Sequence, residues 1–217
     1  MALVFHYGSG SPFAWRVWLA LEHKGVPYEA RRARFDRDDT RSPAFLAVNP
    51  RGKVPAIEHD GFALRESAVI LEYLEDRFPT PPLLPGDARA RARARLLARE
   101  ADEHLYYPAL RRLLVQTLFP PAAGGTGDPA EIAAGREATA AECRRLEGEV
   151  AGAFLVGEEP TLADFTLYPH LRLLRRVGER VPLHNADDLI GPRLGAWMAR
   201  VEALPYFERT LPPHWRE

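Results

Sequence analysis

The chain has 217 residues, of which 46% are hydrophobic and 27% charged, and its net charge is -1. That length allows one large domain or two small ones around a real core, and the neutral balance gives no overall electrostatic attraction to nucleic acid or an acidic membrane. A single cysteine, Cys143, excludes an internal disulfide framework and fits a reducing compartment, so a cytoplasmic protein is expected.

The opening MALVFHYGSGSPF has a short apolar run and no basic leader, and reads as neither a secretory signal nor a targeting peptide. Residues 2–7 are rich in strand formers and short enough for a buried strand. Gly8-Ser9-Gly10-Ser11 breaks the chain, and Pro12 is a good first helical residue with Ser11 as N-cap. Phe13, Val17, Ala20 and Leu21 give a helical stripe, which Gly25 stops, with Pro27 just beyond. Residues 28–34, YEARRAR, read as a second strand. The β-α-β order favours a parallel pair with a helix across one face. Ser42-Pro43 opens a short helix to Val48, and Asn49-Pro50-Arg51-Gly52 is a turn. Residues 54–58 and 62–65 read as a hairpin around Asp60-Gly61. Residues 66–78 carry a helical pattern.

Pro79, Pro81, Pro82 and Pro85 mark an extended linker over residues 79–87. Strand signals largely vanish after it. Asp87 is placed to cap a long helix over 88–118, a loop follows at 119–129, and helices are expected over 129–153, 161–177 and 192–202, with a short turn at 206–211. An α/β unit, residues 1–80, is thus followed by an all-helical unit, residues 87–217. No stretch approaches the roughly 20 apolar residues needed to cross a bilayer.

The arginines at 89, 91, 93, 95 and 99 are followed closely by Glu100, Asp102 and Glu103, so they read as a solvated or subunit-facing helix rather than a nucleic-acid footprint. The histidines show no ligand spacing for a metal. There is no Gly-x-Ser-x-Gly elbow and no phosphate loop.

Three segments, in this order and spacing, resemble the soluble glutathione transferases: SPFAWRV (11–17), NPRGKVPAIEHDGFALRESAVILEYL (49–74) and TLADFTLYP (161–169). The first two fall in that family's thioredoxin-like domain and the third in its helical domain, so the resemblance spans nearly the whole chain. It implies a thioredoxin-like α/β domain that binds glutathione as co-substrate, then an all-α domain carrying the second-substrate pocket. It also implies a serine-type enzyme, similar to the tau and zeta classes, that conjugates the glutathione thiolate to a hydrophobic electrophile lying between the two domains. A homodimer is implied, with no metal, nucleic acid or membrane partner. Two alternatives stay open: a glutathione-dependent isomerase or dehalogenase similar to maleylacetoacetate isomerase, and a non-catalytic binding protein of the same fold.

The resemblance assigns roles residue by residue. Pro55 matches a cis proline, and Val54 presents its N–H and C=O to the cysteinyl part of glutathione, much as an added strand would. Glu66-Ser67 lie where a strand hands over to a helix, where free N–H groups favour a carboxylate. Ser67 then holds the γ-glutamyl carboxylate and Glu66 the α-amino group. Lys53, or else Arg51, meets the glycine carboxylate. Plainer readings stand beside these: a strand start at Val54-Pro55, a helix cap at Glu66-Ser67, and solvated charge at Lys53 and Arg51.

A free thiol has a pKa of about 8.5 and must ionise to attack, so a hydroxyl and a helix start near the sulfur would help. Ser11 is the leading candidate, matching the hydroxyl of the serine-type classes; Ser9 and Tyr7 are alternatives. Ser11 also reads as a simple N-cap, and Tyr7 as a packed strand aromatic. Relatives with thiol-transfer chemistry carry cysteine at position 11, so exchange by a protein thiol is disfavoured, and Cys143 reads as a buried apolar-like residue. Zeta-type isomerases carry Ser-Ser-Cys in this loop, whereas here the stretch is Ser11-Pro12-Phe13. Thr161 and Asp164 form a capping box assigned to stability, with each expected to bind the other's N–H. Tyr106, Tyr107 and Phe119 match the second-substrate region, with core packing as the competing role.

Overall fold

Alternation along the first strand sets the layers of the α/β unit. In β1 (Leu3–Tyr7), Leu3, Phe5 and Tyr7 share one face and are buried. Phe5 and Tyr7 pack there against Trp18 of α1 (Pro12–Lys24). His6 points the other way and meets Phe45 of α2 (Pro43–Val48) edge-on at 5.8 Å. The sheet therefore has a helix on each side.

This computed structural model describes residues 3–118, 127–180 and 188–215. The sheet order is β2-β1-β3-β4, with β2 at Glu29–Arg32, β3 at Ala56–His59 and β4 at Phe62–Arg65. β2 runs parallel to β1, β3 antiparallel to β1, and β4 antiparallel to β3. A parallel pair needs a crossover, and α1 supplies it. Ser11 caps α1 by accepting from the N–H of Ala14, and Gly25 ends it in the left-handed conformation at φ 61. Asp60 and Gly61, at φ 50 and 84, turn the β3–β4 hairpin. The strand of that hairpin begins at Ala56, so Val54 stands outside the ladder. Two 3₁₀ turns, Phe35–Arg37 and Asp39–Arg41, follow β2 where the sequence shows no clear signal.

α3 (Ser67–Arg77) packs beside α1, and one buried ion pair ties them together. Lys24 Nζ meets Glu75 Oε2 at 2.9 Å and also donates to the carbonyls of Phe78 and Pro81. Glu75 accepts in turn from the N–H groups of Leu83 and Leu84. The proline-rich linker is thereby fastened to both helices.

The helical unit comprises α4 (Ala88–Glu100), α5 (Arg111–Leu118), α6 (Pro129–Glu147), α7 (Leu162–Arg180) and α8 (Pro192–Glu202). The single helix expected over 88–118 is interrupted by a π-helical stretch, Ala101–Leu110. Pro108 lies inside it, and a proline lacks the N–H and crowds the carbonyl four residues back, so the helix widens there. The expected loop at 119–129 lies outside the described residues as far as 126.

Contacts divide the chain into two units, Met1–Leu84 with Leu204–Glu217, and Pro85–Ala203. The sequence reading extends the helical unit to the chain end, but the segment from Leu204 groups with the α/β unit. The reason is a set of bonds to α1. Trp15 Nε1 donates to Thr210 Oγ1 at 2.9 Å, His23 meets the Tyr206 hydroxyl at 2.8 Å, and Arg209 pairs with Glu22 at 2.6 Å. The segment carries α9 (Phe207–Thr210) and a final 3₁₀ turn, Pro213–Trp215.

Candidate glutathione site

The site residues come from three loops of the α/β unit. The first loop leaves β1 at Gly8 and enters α1 at Ser11, with the N–H of Ser11 bonded to the carbonyl of Gly8 at 3.1 Å. A Cβ on Gly8 would stand 2.3 Å from the Phe35 ring and 3.0 Å from Cγ2 of Val54, so a larger residue would have to displace the Phe35 ring. That contact places the Ser9–Ser11 loop against the second loop, at Val54. Ser11 is half-buried, and its Oγ accepts from Ala14 at 3.3 Å, which leaves its O–H to donate. Ser9 Oγ lies 2.6 Å from His214 Nδ1. Tyr7 is only 8% exposed and stacks on Phe5, with Trp18 at 4.7 Å. The ring thus fills the packing role among its possible ones.

The second loop is shaped by Asn49, which is 3% exposed. Its Nδ2 donates to the carbonyl of Lys53 at 2.5 Å, its Oδ1 accepts from the N–H of Arg51, and its carbonyl accepts from Gly52. Gly52 takes φ 60 beside the Thr40 carbonyl. The Val54-Pro55 bond is cis. Among the described residues, neither the N–H nor the C=O of Val54 has a hydrogen-bond partner. The Lys53 and Arg51 side chains are exposed next to this edge.

The third loop is the junction of β4 and α3. Glu66 occupies the cap position at φ 67, ψ 107, a conformation that costs a non-glycine residue about 1–3 kcal/mol. No side chain caps this helix, so the plain capping role considered for Glu66-Ser67 is not what the junction provides. The first-turn N–H groups, from Ser67 onward, lack partners within the helix. Glu66 is exposed and Ser67 is 8% exposed. Free first-turn N–H groups at a helix start are suited to an anion.

A larger cleft of about 370 Å³ opens elsewhere in this unit, between β2 and α2, around the His6–Glu58 pair. None of the candidate site residues line it. Among the described residues no group of three or more metal-ligating side chains converges, and no helix is long and apolar enough to cross a membrane.

Residues 10–77 match the family described as Glutathione S-transferase, N-terminal domain, and residues 129–200 match Glutathione S-transferase, C-terminal domain. A maleylpyruvate isomerase from Ralstonia is 35% identical over 165 residues, 74% of this chain and 77% of that protein. Glutathione S-transferase 3 from Zea mays is 30% identical over 93% of this chain and 89% of its own length. The chain belongs to the glutathione S-transferase family. A solved glutathione S-transferase from Rhodospirillum rubrum superposes with a TM-score of 0.81 at 32% identity, covering 96% of this chain and 91% of that one. The thioredoxin-like sheet followed by a helical unit is that family's architecture, as the sequence implies.

In this glutathione S-transferase-family chain, the sequence motifs single out Ser11, Lys53, Val54, Glu66 and Ser67. Three residues escape them: Asn49, Phe35 and His214. Asn49 lies in the quoted motif but reads there only as a turn residue, because its bond to the Lys53 carbonyl depends on the loop's conformation. Phe35 and His214 reach the loop from distant parts of the chain and leave no local trace.

The family motif TLAD shows one of the two expected cap bonds, Asp164 accepting from the N–H of Thr161, and replaces the other. Asp164, fully buried, accepts from the N–H and hydroxyl of Thr161, the N–H of Leu155 and the indole of Trp197. Thr161 Oγ1 donates to the Asp164 carboxylate and accepts from the N–H of Ala163 rather than from that of Asp164. Burial pushes the Asp164 carboxyl up from the ordinary aspartate value, and the four donors oppose that rise without cancelling it.

Proposed function

We propose that this chain is a glutathione transferase whose α/β unit binds glutathione along Val54 and the start of α3. The observation that carries this reading is the unpaired N–H and C=O of Val54, held beside a loop that presents serine hydroxyls. An extended peptide satisfies both groups as a strand would. Ser67 and the first-turn N–H groups take the γ-glutamyl carboxylate, Glu66 takes the α-amino group, and Lys53 takes the glycine carboxylate, with Arg51 as the second cation within reach of that end.

Ser11 donates its O–H to the sulfur at the N-terminus of α1. The hydroxyl and the helix dipole both favour the thiolate over the thiol. The thiolate then attacks a hydrophobic electrophile, for which the helical unit supplies the second-substrate pocket. Positioning of the two reactants provides much of the rate gain. Glutathione serves as co-substrate, with no metal needed for this chemistry. The working form is a cytoplasmic homodimer; light scattering should return twice the mass of one chain. Conjugation of a generic aryl halide is the test of the reaction. Turnover dependent on glutathione supports it, and binding without turnover leaves a carrier of the same fold.

A second reading has its own support. The identity to a maleylpyruvate isomerase covers most of both chains. The same glutathione site would then serve cis–trans isomerisation of a maleyl-type acid. Ser11-Pro12-Phe13 departs from the Ser-Ser-Cys loop of such isomerases. Assay of a maleyl-type acid beside the aryl halide separates the two readings.

A further inference from the structure

Ser9 shares the loop with Ser11 but has a different partner. Its Oγ lies 2.6 Å from His214 Nδ1, and His214 Nε2 lies 2.9 Å from Trp215 Nε1. An indole N–H only donates, so Nε2 must accept. A neutral imidazole that accepts at Nε2 carries its hydrogen on Nδ1. Nδ1–H therefore donates to Ser9 Oγ. The serine's own O–H remains to donate elsewhere, and a hydroxyl that already accepts a hydrogen bond is polarised into a better donor.

The tail is held where this relay needs it. The N–H of Trp215 closes a turn onto the carbonyl of Pro212 at 2.8 Å, and its ring meets Trp15 edge-on at 5.1 Å. Gly10, at φ 83, leaves room for the imidazole: a Cβ there would come within 2.9 Å of His214 Cε1. Ser9, Ser11, Tyr7 and Pro212 line one small cavity at the mouth of α1.

We propose that His214, fixed by Trp215, is a positioning residue that makes Ser9 a second hydroxyl donor to the glutathione sulfur beside Ser11. This rests on the reading of the site as a glutathione site. In the step it serves, the S–H bond breaks, its electron pair stays on sulfur and the proton leaves to solvent. The two O–H groups stabilise the resulting anion, and no bond forms to the protein.

The test follows the ultraviolet absorbance of bound glutathione thiolate against pH in the full chain, with kcat and KM for glutathione. The variants are Ser9→Ala, His214→Phe, which keeps a ring without nitrogens, and His214→Asn, whose amide N–H replaces that of Nδ1. Ser9→Ala and His214→Phe should raise the thiol pKa by about one unit and lower kcat about tenfold at neutral pH, with KM changed less than about twofold. His214→Asn should restore most of the loss. If His214→Phe fails to fold, Trp215→Phe, which frees the tautomer while keeping the aromatic contact, should shift the pKa in the same direction. An unchanged thiol pKa in Ser9→Ala overturns the relay, as does an equal loss in His214→Phe and His214→Asn, which would mark a packing role. Wild-type protein that binds no glutathione overturns the reading of the site, and the relay with it.

Discussion

Ser11 has two roles, helix cap and hydroxyl donor, and they separate by measurement. Its cap bond to Ala14 contributes about 1 kcal/mol of stability. A hydrogen bond to a charged atom contributes about 1.5–3 kcal/mol, so Ser11→Ala should lower turnover about 10- to 100-fold at neutral pH, measured by steady-state conjugation with glutathione saturating. A cap without chemistry would show the stability loss in a denaturant melt and near-wild-type turnover. Cys143 is the opposite kind of residue, fully buried, with its thiol pushed up to about 12 by burial. The unfolded thiol ionises near 9, so the native state holds its proton longer, and stability falls as pH rises through the interval between about 9 and 12. Urea melts should show that wild type loses up to about 1.4 kcal/mol per pH unit more than Cys143→Ala across that window. Parallel slopes would contradict the burial account. The roles proposed for Val54, Ser67 and Ser11 have a local signal in the sequence: a proline, a strand-to-helix junction, a Ser-Pro start. His214 has none, because its partner Ser9 is 205 residues away.

At the start of α7 one carboxylate, Asp164, collects four hydrogen bonds. Asp164→Ala leaves four buried donors without an acceptor and should cost about 3 kcal/mol or more in a denaturant melt, with glutathione affinity nearly unchanged. Intact stability would remove the structural role assigned to it. The Lys24–Glu75 pair does comparable work for α1, α3 and the linker. Lys24→Met strands a buried carboxylate and should destabilise by about 3–5 kcal/mol, and the double change Lys24→Met, Glu75→Gln should recover part of that; thermal melts of both variants check it. Helix and strand order was readable from periodicity, capping residues and prolines. The π-helical stretch was not. Pro108 signals a disturbance, but whether a helix breaks, bends or widens depends on packing around Leu105, Ala109 and Leu110, all buried.

At the scale of the molecule, the chain leaves the α/β unit after Leu84, builds the helical unit, and returns to the α/β unit at Leu204. The proline-rich linker announces the first boundary. Nothing in composition announces the second, because Tyr206, Arg209 and Thr210 are held by scattered bonds to His23, Glu22 and Trp15. The same return brings His214 to the loop of Ser9 and Ser11, so it takes part in the proposed site. Every proposed role in the α/β unit depends on glutathione binding at Val54 and the start of α3. Calorimetric titration of glutathione into the wild-type chain, with S-methylated glutathione as a second titrant, tests it most directly. The prediction is saturable binding of both, one tripeptide per chain, with affinity that weakens in Ser67→Ala and changes little in Asp164→Ala. No binding at millimolar glutathione would contradict the account.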